Sequence, residues 1–488
     1  MIKISKEVFE KKLYPERVLQ FGEGNFMRAF VDWQIDIMNE AGVFNGSVVI
    51  VQPIENGMVD KLNEQDGLYT VILEGVKDGS IVREKRVIQS ISRGVNPYQD
   101  LEGYRALAEL EDLQFIFSNT TEAGIVFNED DQLDDPLQKT FPAKLTAFLY
   151  RRFLHFNGDI NKGLTIIPCE LIDRNADYLK KYVLQYASLW KLSKAFTKWL
   201  DSANRFCCSL VDRIVPGFPK DSSTKIENEL GYRDELMVVG EHYHQWIIEG
   251  AESLKESFPA DKIGLNTIFV SDLDPYRTRK VKILNGAHTA MTPVAYLSGV
   301  DTVQNAVEDK LIGKYIESLL YQEILPTINF PESELHTFTE NVLDRFRNPF
   351  IEHYLISISL NSVAKFKARD LPTLLDYITL KNEVPKKLTF AFAALFYFYR
   401  GKRGTESIDL KDDPEIVAYF RTQWNSYDGS SDKMVDIVRN ILAKQDWWGR
   451  DLNKCVGLSE LIATNLYTMD RQGVRKALLE LMEAEAHA

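Results

Sequence analysis

Short β-branched runs alternate with segments of helical periodicity through the first half of the chain, and the alternation stops near residue 275. The candidate strands are residues 17–21, 47–52, 68–74, 114–118, 164–169 and 267–271. Between them apolar residues recur at helical spacing, as in 27–39 and 98–110. A strand that is followed by a helix and then by a second strand returns parallel to the first. The pattern therefore predicts a mostly parallel sheet covered by helices. Residues 68–74 and 81–88, with Lys77-Asp78-Gly79 between them, predict an antiparallel hairpin set into that scheme. From Tyr276 onward helical periodicity dominates, most clearly at 311–323, 331–345, 388–399, 414–424, 433–443 and 474–484. Two domains are expected, an α/β domain over 1–274 and a mainly α-helical one over 275–488. The junction carries its own start signal, with Asp274 as N-cap and Pro275 at the first helical position.

A chain of 488 residues is too long for one ordinary core, which agrees with this division. Its formal net charge of -13 opposes binding to nucleic acid or to an anionic membrane. A small anionic substrate remains compatible, provided that a local basic pocket opposes the overall field. The four cysteines, Cys169, Cys207, Cys208 and Cys455, form no C-x-x-C pair, and a reduced, cytoplasmic protein is expected. Residues 1–14 lack an apolar signal core, and the longest apolar stretches fall short of a membrane span.

The most informative local pattern lies at the end of the first strand. Residues 17–21 run into Gly22-Glu23-Gly24-Asn25-Phe26-Met27, which opens an amphipathic helix. Two glycines allow a tight turn and close approach of a pyrophosphate, whose charge meets the helix N-terminus. The third glycine of the dinucleotide fingerprint is Met27, so a plain strand–turn–helix stays open as the alternative. Gln52 ends the second strand where an acid is expected, and Glu55 lies three residues beyond. With no basic cluster there for a 2′-phosphate, NAD is expected rather than NADP. The polar turn Ser118-Asn119-Thr120-Thr121-Glu122-Ala123-Gly124 follows another strand, where ligands sit in open α/β sheets; a surface connection is its alternative.

A second site lies on the segment from Asp274 to Gly299, read as mainly one helix that Pro293 kinks or shortens. At about 100° per residue, Lys280, Asn285 and His288 fall at roughly 0°, 140° and 80° around the axis. They can share a polar face suited to carbonyl–alcohol interconversion. An ammonium gives a proton to the nascent alkoxide, and amide and imidazole donors steady the oxygen. Partial burial and nearby positive charge would adapt the lysine to neutral pH. The alternative is a solvated lysine beside a core-capping Asn285-Gly286. His242-x-His244 with Glu241 is the one histidine cluster, but i, i+2 spacing suits a strand face and no cysteine spacing completes a metal site. No G-x-S-x-G elbow is present, which excludes the common serine-hydrolase arrangement.

Taken together, the runs 20–33, Asn119 to Gly124, Pro168-Cys169-Glu170-Leu171-Ile172-Asp173, Val211-Asp212-Arg213-Ile214-Val215-Pro216, Lys282 to His288 and Arg345-Phe346-Arg347-Asn348-Pro349 closely resemble the mannitol dehydrogenase family of long-chain polyol dehydrogenases. The resemblance spans essentially the whole chain. It implies a Rossmann-type N-terminal domain, a helical C-terminal domain and a metal-independent mechanism with a lysine acid–base. The family's lysine, asparagine and histidine fall on Lys280, Asn285 and His288. Its site aspartate falls on Asp212 and its substrate lysine on Lys365. The resemblance places the cofactor turn at Phe21, Gly22, Glu23, Gly24, Asn25 and Phe26, with Thr121 and Glu122 beside the nicotinamide side. The activity implied is NADH-dependent reduction of a keto-uronate, tagaturonate to altronate. A basic residue among Lys365, Arg345 and Arg347 would then oppose the substrate carboxylate. Fructuronate/mannonate or an uncharged polyol are the sister expectations, and a non-catalytic nucleotide-binding protein is the reading from another class. One departure stands out. Polyol-oxidising members carry an oxyanion asparagine where this chain has Leu171, and Asn175, a turn later, is the nearest substitute.

Overall fold

The computed structural model describes residues 1–120 and 123–486. The chain forms two units, one made of Met1–Gly75 and Ser80–Leu273, the other of Val76–Gly79 and Asp274–Ala488.

The first unit is built on a six-stranded, wholly parallel sheet. In chain order its strands are Glu16–Phe21, Ser47–Val51, Ile91–Val95, Phe115–Ser118, Thr165–Pro168 and Arg205–Phe206. In space they run third, second, first, fourth, fifth, sixth. This is the doubly wound order whose direction reverses beside the first strand, the place where such sheets bind ligands. Alternate residues feed two cores. Val18, Val48, Ile50, Phe115, Phe117 and Ile167 pack with the helix Asn25–Glu40. Leu19, Phe21, Val49, Val51, Ile116 and Ile166 pack with Leu145, Phe148, Leu179 and Val183 on the helices of the other face. Burial on both faces is why these strands read as continuous apolar runs.

The hairpin is present as Tyr69–Lys77 and Ser80–Ile88, and its strands extend to a two-residue turn. Asp78 and Gly79 both have positive φ, 51° and 71°, as a type I′ turn requires. Strands that periodicity did not indicate include Ile91–Val95, Ser209–Asp212, Val238–Glu241 and Gln245–Glu249. Ile91–Val95 is interrupted by Ser92, Arg93 and Gly94, and so lacks an apolar run.

From Asp274 on, the described residues of the second unit are mainly helical, with the short strands Lys402–Arg403 and Glu406–Ser407. Its centre is the helix Lys386–Phe398, buried at every residue from Lys387 to Phe398. That helix packs against Ala287–Leu297 and Leu458–Gln472. Apolar on all sides, it belongs in the middle of a bundle. Its buried N-terminus is satisfied by Glu323, whose carboxylate accepts the N–H groups of Lys387 and Leu388 at 2.8 and 2.7 Å. Burial pushes the Glu323 carboxyl up to about 7. The Lys387 ammonium, on a side chain 3% exposed, pairs with Glu485 of the helix Val474–Ala486 at 2.5 Å.

Candidate active site

In the first unit the glycine turn follows Glu16–Phe21 directly. Gly22 takes φ +123°, and a Cβ there would stand 3.0 Å from the Asn119 carbonyl oxygen, so only glycine fits without strain. A Cβ on Gly24 would meet open space. Gly24 is the N-cap of Asn25–Glu40 and offers no side-chain acceptor, and the first turn holds no acid. The first N–H groups of this helix are thus left for an outside anion. Three side chains of the turn face inward. Phe21 is buried, with its ring 5.0 Å from that of Phe141, and the Phe26 ring stacks on Phe30 at 4.9 Å. The Glu23 carboxylate turns away from the turn and accepts the Met58 N–H at 3.2 Å. Arg28 fixes the main chain from below, donating to the Glu23 carbonyl at 3.1 Å and to Asn25 Oδ1 at 2.7 Å. Met27 is fully buried in the core.

The ends of the next strands are organised by Glu170, which is 2% exposed. Its carboxylate accepts from Ser118 Oγ at 3.0 Å, from the Thr120 N–H at 3.0 Å and from Thr120 Oγ1 at 2.9 Å. This fixes the exit of Phe115–Ser118. Thr121 and Glu122 lie outside the described residues. Leu171 is 65% exposed. Asn175 is not an oxyanion donor in waiting. Its amide nitrogen serves the carbonyls of Pro168, Glu170 and Ser209, and its oxygen accepts from Ala176 and Ser209. It is a backbone clamp between strand ends. Asp212, 7% exposed, ends the strand Ser209–Asp212 opposite Gln245. His244 Nε2 accepts the Asn266 N–H at 2.9 Å.

In the second unit the lysine segment departs from a regular α-helix. Asp274–Lys280 is α-helical, Val281–Gly286 is a π turn, and Ala287–Leu297 is α-helical again. The 100° arithmetic therefore overstates the angle between Lys280 and Asn285. An i→i+5 turn advances fewer degrees per residue than an α-helix, so these two positions, five apart, lie nearer each other around the axis. Pro293 does not end the segment, since the helix continues to Leu297. Its neighbours Ala290, Met291 and Val294 are wholly buried in the core, and this packing outweighs one missing backbone hydrogen bond.

Lys280, Asn285 and His288 are each half-buried. Beside Lys280, Arg279 is 3% exposed and its guanidinium lies 4.4 Å from the Phe338 ring centroid and 4.9 Å from that of Phe330. The His288 ring lies over Phe346, centroids 4.4 Å apart, and meets the His353 ring edge-on at 5.0 Å. Lys365 donates to the Ile358 carbonyl at 2.8 Å, and burial with nearby Arg369 lowers its pKa. Arg345 is 8% exposed. Arg347 is turned elsewhere, pairing with Glu317 at 3.2 Å and Asp344 at 3.5 Å.

Residues 16–309 match the model of the mannitol dehydrogenase Rossmann domain, and residues 272–470 match that of the mannitol dehydrogenase C-terminal domain. The chain belongs to the mannitol dehydrogenase family. Among members of this family, the chain is similar to the altronate oxidoreductase of Bacillus subtilis (strain 168), 50% identical over 479 residues, 98% of each chain. It is also similar to the altronate oxidoreductase of Yersinia pestis bv. Antiqua (strain Nepal516), 44% identical over 97% of this chain and 99% of that one. Its fold is similar to that of Pseudomonas fluorescens mannitol 2-dehydrogenase in a ternary complex with NAD and D-mannitol. There the TM-score is 0.67 and the identity 21%, over 96% of this chain and 95% of the other.

Within this mannitol dehydrogenase fold, sequence reasoning missed Glu170 as an organiser and His353 as a neighbour of His288. Glu170 reaches a loop 52 residues earlier in the chain, a contact that no local pattern announces.

Proposed function

We propose that the protein is an NAD-dependent reductase of a sugar acid, converting tagaturonate to altronate, with Lys280 as the acid–base group. The observation that supports this reading is the π turn Val281–Gly286 between Lys280 and His288, an interruption of regular helix of a kind frequent at functional sites. The altronate oxidoreductase relatives support the choice of substrate. The open, uncapped start of Asn25–Glu40 and the room beside Gly24 suit a pyrophosphate. No basic side chain occurs between Gln52 and Met58 to take a 2′-phosphate, which favours NAD.

NADH, when bound, supplies the hydride. Lys280 holds a proton and gives it to the substrate oxygen as the carbonyl carbon becomes tetrahedral and the C=O π pair moves onto that oxygen. The amide of Asn285 and the imidazole of His288 hydrogen-bond the same oxygen as its charge grows. The reverse reaction uses the same groups, with Lys280 taking the proton. Asp212 is assigned to a substrate hydroxyl. One or more of Lys365, Arg345 and Arg347 are assigned to the carboxylate. Free thiols at all four cysteines support a reducing, cytoplasmic setting.

The test is Lys280→Ala. Reductive turnover of tagaturonate falls by roughly a hundredfold or more, while NADH affinity from fluorescence titration stays within about twofold. A variant that reduces tagaturonate at the wild-type rate overturns the assignment. Fast turnover of fructose or fructuronate, with none of tagaturonate, would move the protein to a sister specificity.

A further inference from the structure

The geometry points to His353 as a further substrate-binding residue, one that selects substrates bearing a carboxylate over uncharged ones. This rests on the functional reading above. His353 stands edge-on to His288 at 5.0 Å, so a substrate whose oxygen is held by His288 extends into reach of the second ring. Its place is fixed by the main chain. The His353 carbonyl accepts the Val303 N–H at 2.9 Å, and the His353 N–H donates to the Ile351 carbonyl at 2.9 Å. The next residue, Tyr354, bridges to Thr302. The ring is thereby tied to the loop that closes the helix carrying His288.

Of the acids nearby, Asp412 bears on Lys365, but its carboxylate accepts the Val363 N–H at 3.2 Å and the Tyr399 hydroxyl. Lys365 and Arg369, four residues apart on Ser362–Arg369, meet neutral hydrogen-bond partners among the described residues, the Ile358 carbonyl at 2.8 Å and Thr289 Oγ1 at 3.2 Å. Neighbouring acids are turned to other partners. Glu352 accepts the Tyr354 hydroxyl at 2.7 Å, and Asp301 pairs with Arg403 at 2.5 Å. Desolvation pushes the carboxyl of Asp370, buried beside Arg369, well above its ordinary range. Burial and the charge of Lys365 hold the His353 imidazole below its ordinary range, and an imidazole keeps an N–H to donate whether neutral or charged. Two part-buried cations and an imidazole donor, hydrogen-bonded to neutral groups, form the complement of a carboxylate on a small molecule.

The experiment compares His353→Ala and His353→Asn with wild type, on tagaturonate and on its uncharged counterpart, the ketohexose tagatose. The expected result is a rise of roughly tenfold or more in KM for tagaturonate in His353→Ala, with kcat changed less than about threefold. KM for tagatose stays within about twofold, and His353→Asn, which keeps an N–H donor, recovers part of the loss. Equal effects on both substrates, or a fall in kcat at unchanged KM, overturn the inference and make His353 a packing or positioning residue. If His353→Ala does not fold, as judged by circular dichroism, the same split is read from His353→Asn against His353→Leu. A wild-type protein inert toward tagaturonate overturns the functional reading and this inference with it, and so differs from a selective failure of the variants.

Discussion

Gly22 holds φ +123° with the Asn119 carbonyl oxygen at 3.0 Å from the position a Cβ would take. Alanine at this position must either strain the backbone or push the following turn away from its partner. Gly22→Ala is therefore expected to raise the NADH dissociation constant by about tenfold or more, measured by fluorescence titration, with the fold retained by circular dichroism. Unchanged NADH affinity would show that this turn does not hold the dinucleotide. Gly286 is the counterpart in the second unit, since a Cβ there would lie 3.0 Å from Asp370 Oδ1. Both glycines were visible in the sequence as members of local motifs. The roles of Glu170 and His353 were not. Their partners lie at Ser118 and His288, far away along the chain, and only tertiary structure brings them together.

Among the elements, those with strong periodicity were legible and those defined by hydrogen bonding were not. The helix Lys386–Phe398 was expected at 388–399 because its apolar content is continuous. The π turns at Val281–Gly286 and Leu320–Ile324 leave no mark on a pattern read at 3.6 residues per turn. Each nevertheless positions a polar group, Asn285 in the first and Glu323 in the second. Glu323 serves the N-terminus of Lys386–Phe398 with two short hydrogen bonds. Glu323→Ala leaves two buried N–H groups without an acceptor and removes a neighbour of Lys387, a loss of roughly 2–4 kcal/mol. Urea unfolding followed by tryptophan fluorescence is expected to show a lower midpoint, and an unchanged midpoint would mean that water replaces the carboxylate. Asn175 makes the opposite point. Its position one turn beyond Leu171 suggested a catalytic donor, but all its hydrogen-bonding capacity goes to strand ends.

At the scale of the whole molecule, the parallel α/β first half and the helical second half were legible because burial on two faces and helical repeats are written into the pattern of apolar residues. Its acid–base balance was not. Desolvation raises several buried carboxyls, Asp32 and Glu323 to about 7, and Asp36, Glu170 and Asp234 in the same direction. Each binds its proton more tightly folded than unfolded. The stability that Asp32 and Glu323 contribute is complete below their unfolded values near 4 and is lost as pH rises through about 7. The net charge of -13 acts in the same direction through self-repulsion. The urea midpoint is expected to be higher at pH 5 than at pH 8, and Asp32→Asn should narrow that gap. A midpoint that rises from pH 5 to pH 8 would contradict it.

The pair between Lys387 and Glu485 also bears on how the protein is made. The two residues are separated by roughly a hundred positions, so at ~5–20 residues per second a ribosome needs about 5–20 s to supply the second after the first. Throughout that interval Glu323, 3.9 Å from the ammonium in the finished fold and already made, is the carboxylate at hand for it. The charge balance at the start of Lys386–Phe398 is thus completed only once the helix Val474–Ala486 has been made.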